Sequence, residues 1–147
     1  MVYMKTRLLF FDSPIVMSAM DRATRQALGK IGAFVRRRAR TSIRKGKKVS
    51  RPGQPPNSHA GDIRRLLFFA MGPDMDEVVI GPLRFKKGEA PNLLEFGGAT
   101  VRTRIHTSGK RGVKKVVVYR KHPFMGPAME KEVPSMADKW RGSVGGG

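Results

Sequence analysis

Apolar positions in the first third of the chain recur at three- and four-residue steps: Val16, Met20, Ala23, Ala27, Leu28, Ile31, Phe34, Val35, Ala39 and Ile43. That period predicts a long amphipathic helix with one stripe facing a core and arginines covering the rest. Asp12-Ser13-Pro14 supplies its start. Ser13 can accept from the orphan N–H groups, and Pro14 falls at the first helical position, where its missing donor costs nothing. Gly29 and Gly32 weaken the pattern slightly. The cations from Arg36 to Lys45 suit the negative end of the helix dipole, and Gly46 is the expected C-cap.

From Lys47 to Gly61 the segment KKVSRPGQPPNSHAG holds three prolines and two glycines, which block both helix and ladder pairing. It reads as an extended arm or loop over residues 45–62, long enough to reach a neighbouring molecule. Ile63 to Met71 and Glu77 to Leu83 then read as two strands joined by Gly72-Pro73-Asp74-Met75, a hairpin whose first strand alternates poorly. Ala90 to Gly98 reads as one helical turn opened by Pro91 and stopped by a glycine pair. Thr100 to Thr107 and Val113 to Tyr119 predict a second hairpin around the tip Ser108 to Gly112. A closing helix is expected from about Pro127 to Trp140, with Ala128, Met129, Val133, Met136, Ala137 and Trp140 on one side.

The expected architecture is α+β: a long N-terminal helix and a C-terminal helix packed on an antiparallel sheet of two hairpins, with an extended basic loop. Residues 1–141 form one domain and residues 142–147 a flexible Gly-rich tail. A chain of 147 residues can bury an ordinary core without staples.

Charge changes this picture most. The chain carries 30 Lys and Arg against 11 Asp and Glu, a formal net charge of +19. No acid falls between Asp21 and Asp62, and none between Glu95 and Glu130. Repulsion on that scale calls for a polyanion, an acidic protein surface or counterions. The absence of cysteine excludes disulfides, thiolate metal sites and cysteine nucleophiles. The apolar run Leu8-Leu9-Phe10-Phe11 is too short for a signal sequence, and no stretch approaches the ~20 apolar residues of a membrane helix. A soluble protein made in the cytoplasm and not bound to membranes is the expectation.

Catalytic chemistry has little to stand on. His59, His106 and His122 fall in separate segments without metal-ligand spacing. Asp74, Asp76 and Glu77 cluster where a turn is predicted, and Asp is favoured there for conformational reasons. No phosphate-binding glycine loop or nucleophile elbow occurs. No enzyme activity, metal or cofactor is expected. Phe68, Phe69, Phe85, Tyr119 and Phe124 sit among cations as in single-strand binders, although burial in the core accounts for them more simply.

The blocks GAFVRRRARTSIR, SRPGQPPNSHAG, EVVIGP, LLEFGG and HPFMGPAMEKEVP, in this order over residues 28–141, resemble the small tail-completion or neck proteins of long-tailed phages. That group is loosely linked to minor tail proteins of the lambda Z type. The resemblance implies a non-enzymatic virion component located in the neck or tail. Such a protein assembles as a ring between connector proteins on the head side and tail-terminator or tail-tube proteins, around the DNA channel; the family leaves the ring size open, and six copies is this reading's own expectation.

On that reading Arg51, Pro52, Gln54, Pro55, Pro56, Phe124, Met125 and Trp140 are expected at the interface between subunits. The cations Arg36, Arg37, Arg38, Arg40, Arg44, Lys45, Lys47, Lys48, Lys110 and Arg111 are expected to face an acidic neighbour or the genomic DNA, contacted without sequence preference. The alternative, resting on charge alone, is a non-specific basic nucleic-acid-binding protein.

Overall fold

The computed structural model describes residues 13–59, 61–83, 90–104 and 113–142. Helix α1 (Ser13–Ser42) is the hub of an α+β fold. Ala23, Ala27, Ile31, Val35 and Ala39 are buried along it, and Ile43 is buried just past its end. Each four-residue step overshoots a helical turn by about 40°, so the buried line precesses round the helix. A precessing line lets several elements share one helix, and β3 (Leu67–Met71), β4 (Val78–Pro82) and α4 (Met125–Met136) all pack on α1. Leu67, Phe124 and Ala128 complete the buried core with Ile31, Val35, Ala39 and Ile43.

Gly32 fixes the closest approach of α1 to the first hairpin. A Cβ there would come within 2.6 Å of the Phe69 ring and 2.8 Å of the Val78 side chain. The glycine that weakens the helical pattern is therefore what lets the hairpin lie against the helix.

Helix α1 ends at Ser42, short of the expected cap at Gly46, because Arg44–Lys45 (β1) pairs in parallel with Asn57–Ser58 (β2). The sequence from Ile63 to Met71 is not one strand. Asp62–Arg65 forms a single helical turn (α2), and the strand starts only at Leu67. That division accounts for the poor alternation of the segment. Strands β3 and β4 pair antiparallel from Leu67 opposite Pro82 to Met71 opposite Val78.

Helix α3 (Ala90–Phe96) leads into β5 (Gly98–Arg104), which pairs antiparallel with β6 (Val113–Tyr119). The two hairpins do not merge into one sheet; each is a separate two-stranded ribbon. The β5–β6 ribbon packs broadly on no other element among the described residues. One of its faces holds the cross-strand pair Arg102 and Lys115, whose like charges resist burial.

Helix α4 starts two residues before Pro127 and gives way at Ala137–Lys139 to a 3-10 turn. Its inward face also differs from the expected one. Ala128 and Glu132 are buried, whereas Met129 and Val133 are exposed. A polar side chain occupies the centre of the buried stripe because two cations and a hydroxyl reach it, as described below. The hairpin tip with Lys110 and Arg111, together with Phe85, His106 and residues 143–147 of the tail, lies outside the described residues.

Candidate functional site

Three of the quoted sequence blocks converge on one corner of the molecule. Glu95, from LLEFGG, reaches the start of α4. Its Oε2 accepts the backbone N–H of Phe124 at 2.8 Å and of Met125 at 3.0 Å, and its Oε1 accepts that of Gly126 at 2.8 Å. A carboxylate there satisfies orphan donors and meets the positive end of the helix dipole. Gly97, at φ 75°, ends α3 with its N–H on the Leu93 carbonyl at 2.9 Å. A side chain at Gly97 would sit 3.1 Å from the Tyr119 carbonyl oxygen, so the tight reversal into β5 requires glycine there.

His122 ties the proline-rich loop to this corner. It is 8% exposed, and its Nδ1 lies 3.0 Å from Ser50 Oγ and 3.1 Å from the Gln54 carbonyl oxygen. With the proton on Nδ1 the ring donates to Gln54; with the proton on Nε2 it accepts from Ser50. Either tautomer clamps the loop, and Gly53 N–H adds a bond to the Lys121 carbonyl at 2.9 Å. Over residues 45–59 the segment is thus tied to its own domain through Ser50, Gly53 and Gln54. Within it Gly46 N–H donates to the Ser58 carbonyl, Gln54 N–H to the Arg51 carbonyl and Asn57 Nδ2 to the Lys48 carbonyl.

The expected interface residues divide accordingly. Arg51, Pro52 and Gln54 are exposed on this loop, Pro55 is half-buried and Pro56 is buried. Phe124 is 1% exposed and belongs to the core, so it is not available to a second subunit as expected. Met125 packs partly against the same core. Trp140 is 40% exposed and remains accessible at the surface.

The expected basic cluster also divides. Arg38 Nε donates to Glu132 Oε1 at 2.6 Å, and Lys139 Nζ lies 3.4 Å from Oε2, where Ser135 Oγ also donates at 3.1 Å. The Arg38 hydrogen bond, followed by those of Ser135 and Lys139, holds the Glu132 carboxyl below its ordinary range despite burial, which pushes it up. Arg36 Nε donates to the Leu67 carbonyl at 2.5 Å, and its guanidinium lies 5.4 Å from the centre of the Phe68 ring. Arg36 and Arg38 therefore also serve the fold: Glu132 meets the charge of Arg38, whereas Arg36 gives one donor to a neutral carbonyl and keeps its charge.

Arg37, Arg40, Arg44, Lys45, Lys47 and Lys48 are exposed and make no ion pair among the described residues. Arg37 and Lys139 each place a cation 4.9 Å from the centre of the half-exposed Phe34 ring. Phe68 is exposed beneath Arg36 and not in the core, whereas Tyr119 is half-buried under Arg102 at 5.6 Å.

Apolar side chains are left on two further surfaces. Ile15, Met17 and Met20 are exposed on the N-terminal part of α1. On the β5–β6 ribbon, Val101 faces Val116 and Ala99 faces Val118, and all four are exposed. Among the described residues no cluster of His, Asp and Glu could hold a metal ion, and no helix is long and apolar enough to cross a membrane. No family model matches the chain, and no curated protein or solved structure is significantly similar to it.

Proposed function

We propose that this chain is a structural subunit of the neck or tail of a long-tailed phage, forming a homo-oligomeric ring that completes the tail and joins it to the head connector around the DNA channel. In this role it works by packing and charge and carries out no chemistry. The observation that supports the reading best is the surface left uncovered in a single copy. A hairpin with Val101, Val116 and Val118 exposed, a helix end with Ile15, Met17 and Met20 exposed, and six exposed cations at and beyond the far end of that helix, none in an ion pair among the described residues, together describe a subunit built to be covered. The convergence of LLEFGG, SRPGQPPNSHAG and HPFMGPAMEKEVP in one corner is consistent with the resemblance, since blocks far apart in the chain act as one structural unit.

In the phage to which this reading assigns the chain, Arg37→Glu with Arg40→Glu should lower the yield of joined particles while leaving the melting temperature of the isolated protein unchanged. Both side chains are exposed and neither takes part in an ion pair among the described residues. Unchanged joining in that variant would remove these cations from the account.

The same exposed cations favour the second reading, a non-specific nucleic-acid binder. That protein would bind duplex DNA as a free monomer, with affinity falling steeply as salt rises.

A further inference from the structure

We propose that the acidic turn between β3 and β4 of one copy seats in the cleft between the proline-rich loop and the base of β6 in the next copy, making the ring joint head-to-tail. The proposal rests on the ring reading above and adds the two surfaces that meet.

Among the described residues Asp21 and Glu130 are also exposed acids outside any ion pair, but each stands alone, whereas this turn gathers three. Glu95 and Glu132 act inside the fold, while Asp62 and Asp138 pair with Arg65 and Arg141 within their own turns. Asp74, Asp76 and Glu77 are exposed and make no ion pair among the described residues. Residues 66–83 contain these three acids and no Lys or Arg, so the hairpin carries a local charge of −3 within a chain of net +19. At the centre of the triad Met75 holds φ at 61°, a left-handed conformation that is strained for a long side chain, and leaves that side chain exposed. The turn thus presents an apolar knob flanked by carboxylates.

The cleft has the complementary chemistry. Its volume is about 500 Å³, and its lining includes the half-buried Leu94 and, at the exposed rim, the apolar Val49 and Pro52. Arg120 lines it as a cation beside the imidazoles of His59 and His122, and no acid lines it. The His122 clamp on Ser50 and Gln54 holds the loop side in place before any partner arrives.

The two surfaces lie at different ends of the subunit. Strand β3 runs against the direction of α1, from the Arg36 contact at Leu67 toward the Gly32 contact at Phe69, so its turn points back along the helix. The loop lies past Ser42, at the opposite end. Ten helical steps, from residue 32 to residue 42, already separate the two ends by about 15 Å. Donor and acceptor on separate patches give a heterologous contact that repeats from copy to copy. A second copy is favoured over a foreign acidic protein because the chain itself carries the complement: a turn of local charge −3, set against a cleft with Arg120 and no acid in its lining.

The chain has no cysteine, so Met75→Cys combined with Val49→Cys reports the contact cleanly in the full-length, nuclease-treated protein. Under mild oxidation the double variant should give a ladder of disulfide-linked oligomers. The ladder should form at least tenfold faster than in a control pairing Met75→Cys with the exposed Val133→Cys. Mixing the two single variants should give linked dimers only, and Asp74→Lys with Asp76→Lys should abolish the ladder.

Rings seen by negative stain without crosslinking would overturn the joint and leave the ring reading standing. A monomer without crosslinking would overturn both. A ladder without closed rings would support the joint against the ring, and a ladder halting at dimers would overturn head-to-tail packing. Protection of Val49→Cys from a thiol reagent by a duplex oligonucleotide, with no ladder, would assign the cleft to phosphate and also overturn the proposal.

Discussion

The Glu95 carboxylate lies 2.8 Å from the backbone nitrogen of Phe124, joining the end of α3 to the start of α4 across a separation of 29 residues. With Met125 and Gly126 it gathers three N–H groups that the helix itself cannot satisfy. Glu95→Ala should lower unfolding free energy by about 2 kcal/mol, as expected for orphaned donors at a partly buried helix start. Glu95→Gln keeps one acceptor oxygen and should cost less. Urea denaturation of the two variants measures the difference, and equal stability of all three proteins would remove the cap from the account.

Gly32 and Gly29 stand three residues apart on α1 and should respond oppositely to alanine. At Gly29 nothing lies within 4 Å of the added carbon, so Gly29→Ala should stabilise by about 0.5–1 kcal/mol through helix propensity. At Gly32 the added carbon meets the Phe69 ring and the Val78 side chain, so Gly32→Ala should destabilise by about 1–3 kcal/mol. Thermal melts of the pair check the sign of each change.

Glu132 makes acid sensitivity predictable. Its folded-state pKa lies below the unfolded value, mainly because of the Arg38 hydrogen bond. Its contribution to stability is therefore complete above the ordinary carboxylate range and is lost as pH falls through the folded value. Denaturation followed across pH should show a shallower acid limb for Glu132→Gln than for the wild type. At neutral pH, Arg38→Ala should cost about 3 kcal/mol, because it leaves a 5%-exposed carboxylate with only the more distant Lys139 as a cation.

Phe124 and Trp140 separate packing from assembly. Phe124→Ala empties a core site and should cost about 3–5 kcal/mol. Trp140→Ala, at a half-exposed position, should cost less and act mainly on association. Calorimetry with light scattering on both variants distinguishes the two effects. If Trp140→Ala unfolded the monomer as severely as Phe124→Ala, its place at an interface would be lost.

The long helix was legible in the sequence because its apolar positions repeat over thirty residues and each buried side chain is an ordinary core residue. The phase of α4 was not legible. Its polar centre, Glu132, depends on Arg38, 94 residues earlier, and no local period records such a partner. For the same reason a run of arginines reads as one basic surface, although Arg36 and Arg38 turn inward to the Leu67 carbonyl and to Glu132. The loop from Lys47 to Gly61 showed its irregularity through proline and glycine, but its docking depends on His122, which belongs to a distant block. Glu95 stood in the sequence as a lone acid in a short helical turn, and only the fold brings the start of α4 to it.

The ring is tested most directly by light scattering behind size exclusion, on nuclease-treated full-length protein over a salt series, with negative-stain imaging of the large fraction. The account predicts closed rings of uniform size that persist without nucleic acid. A monomer at every salt concentration that shifts only when duplex DNA is added at low ionic strength would contradict it and favour the nucleic-acid binder.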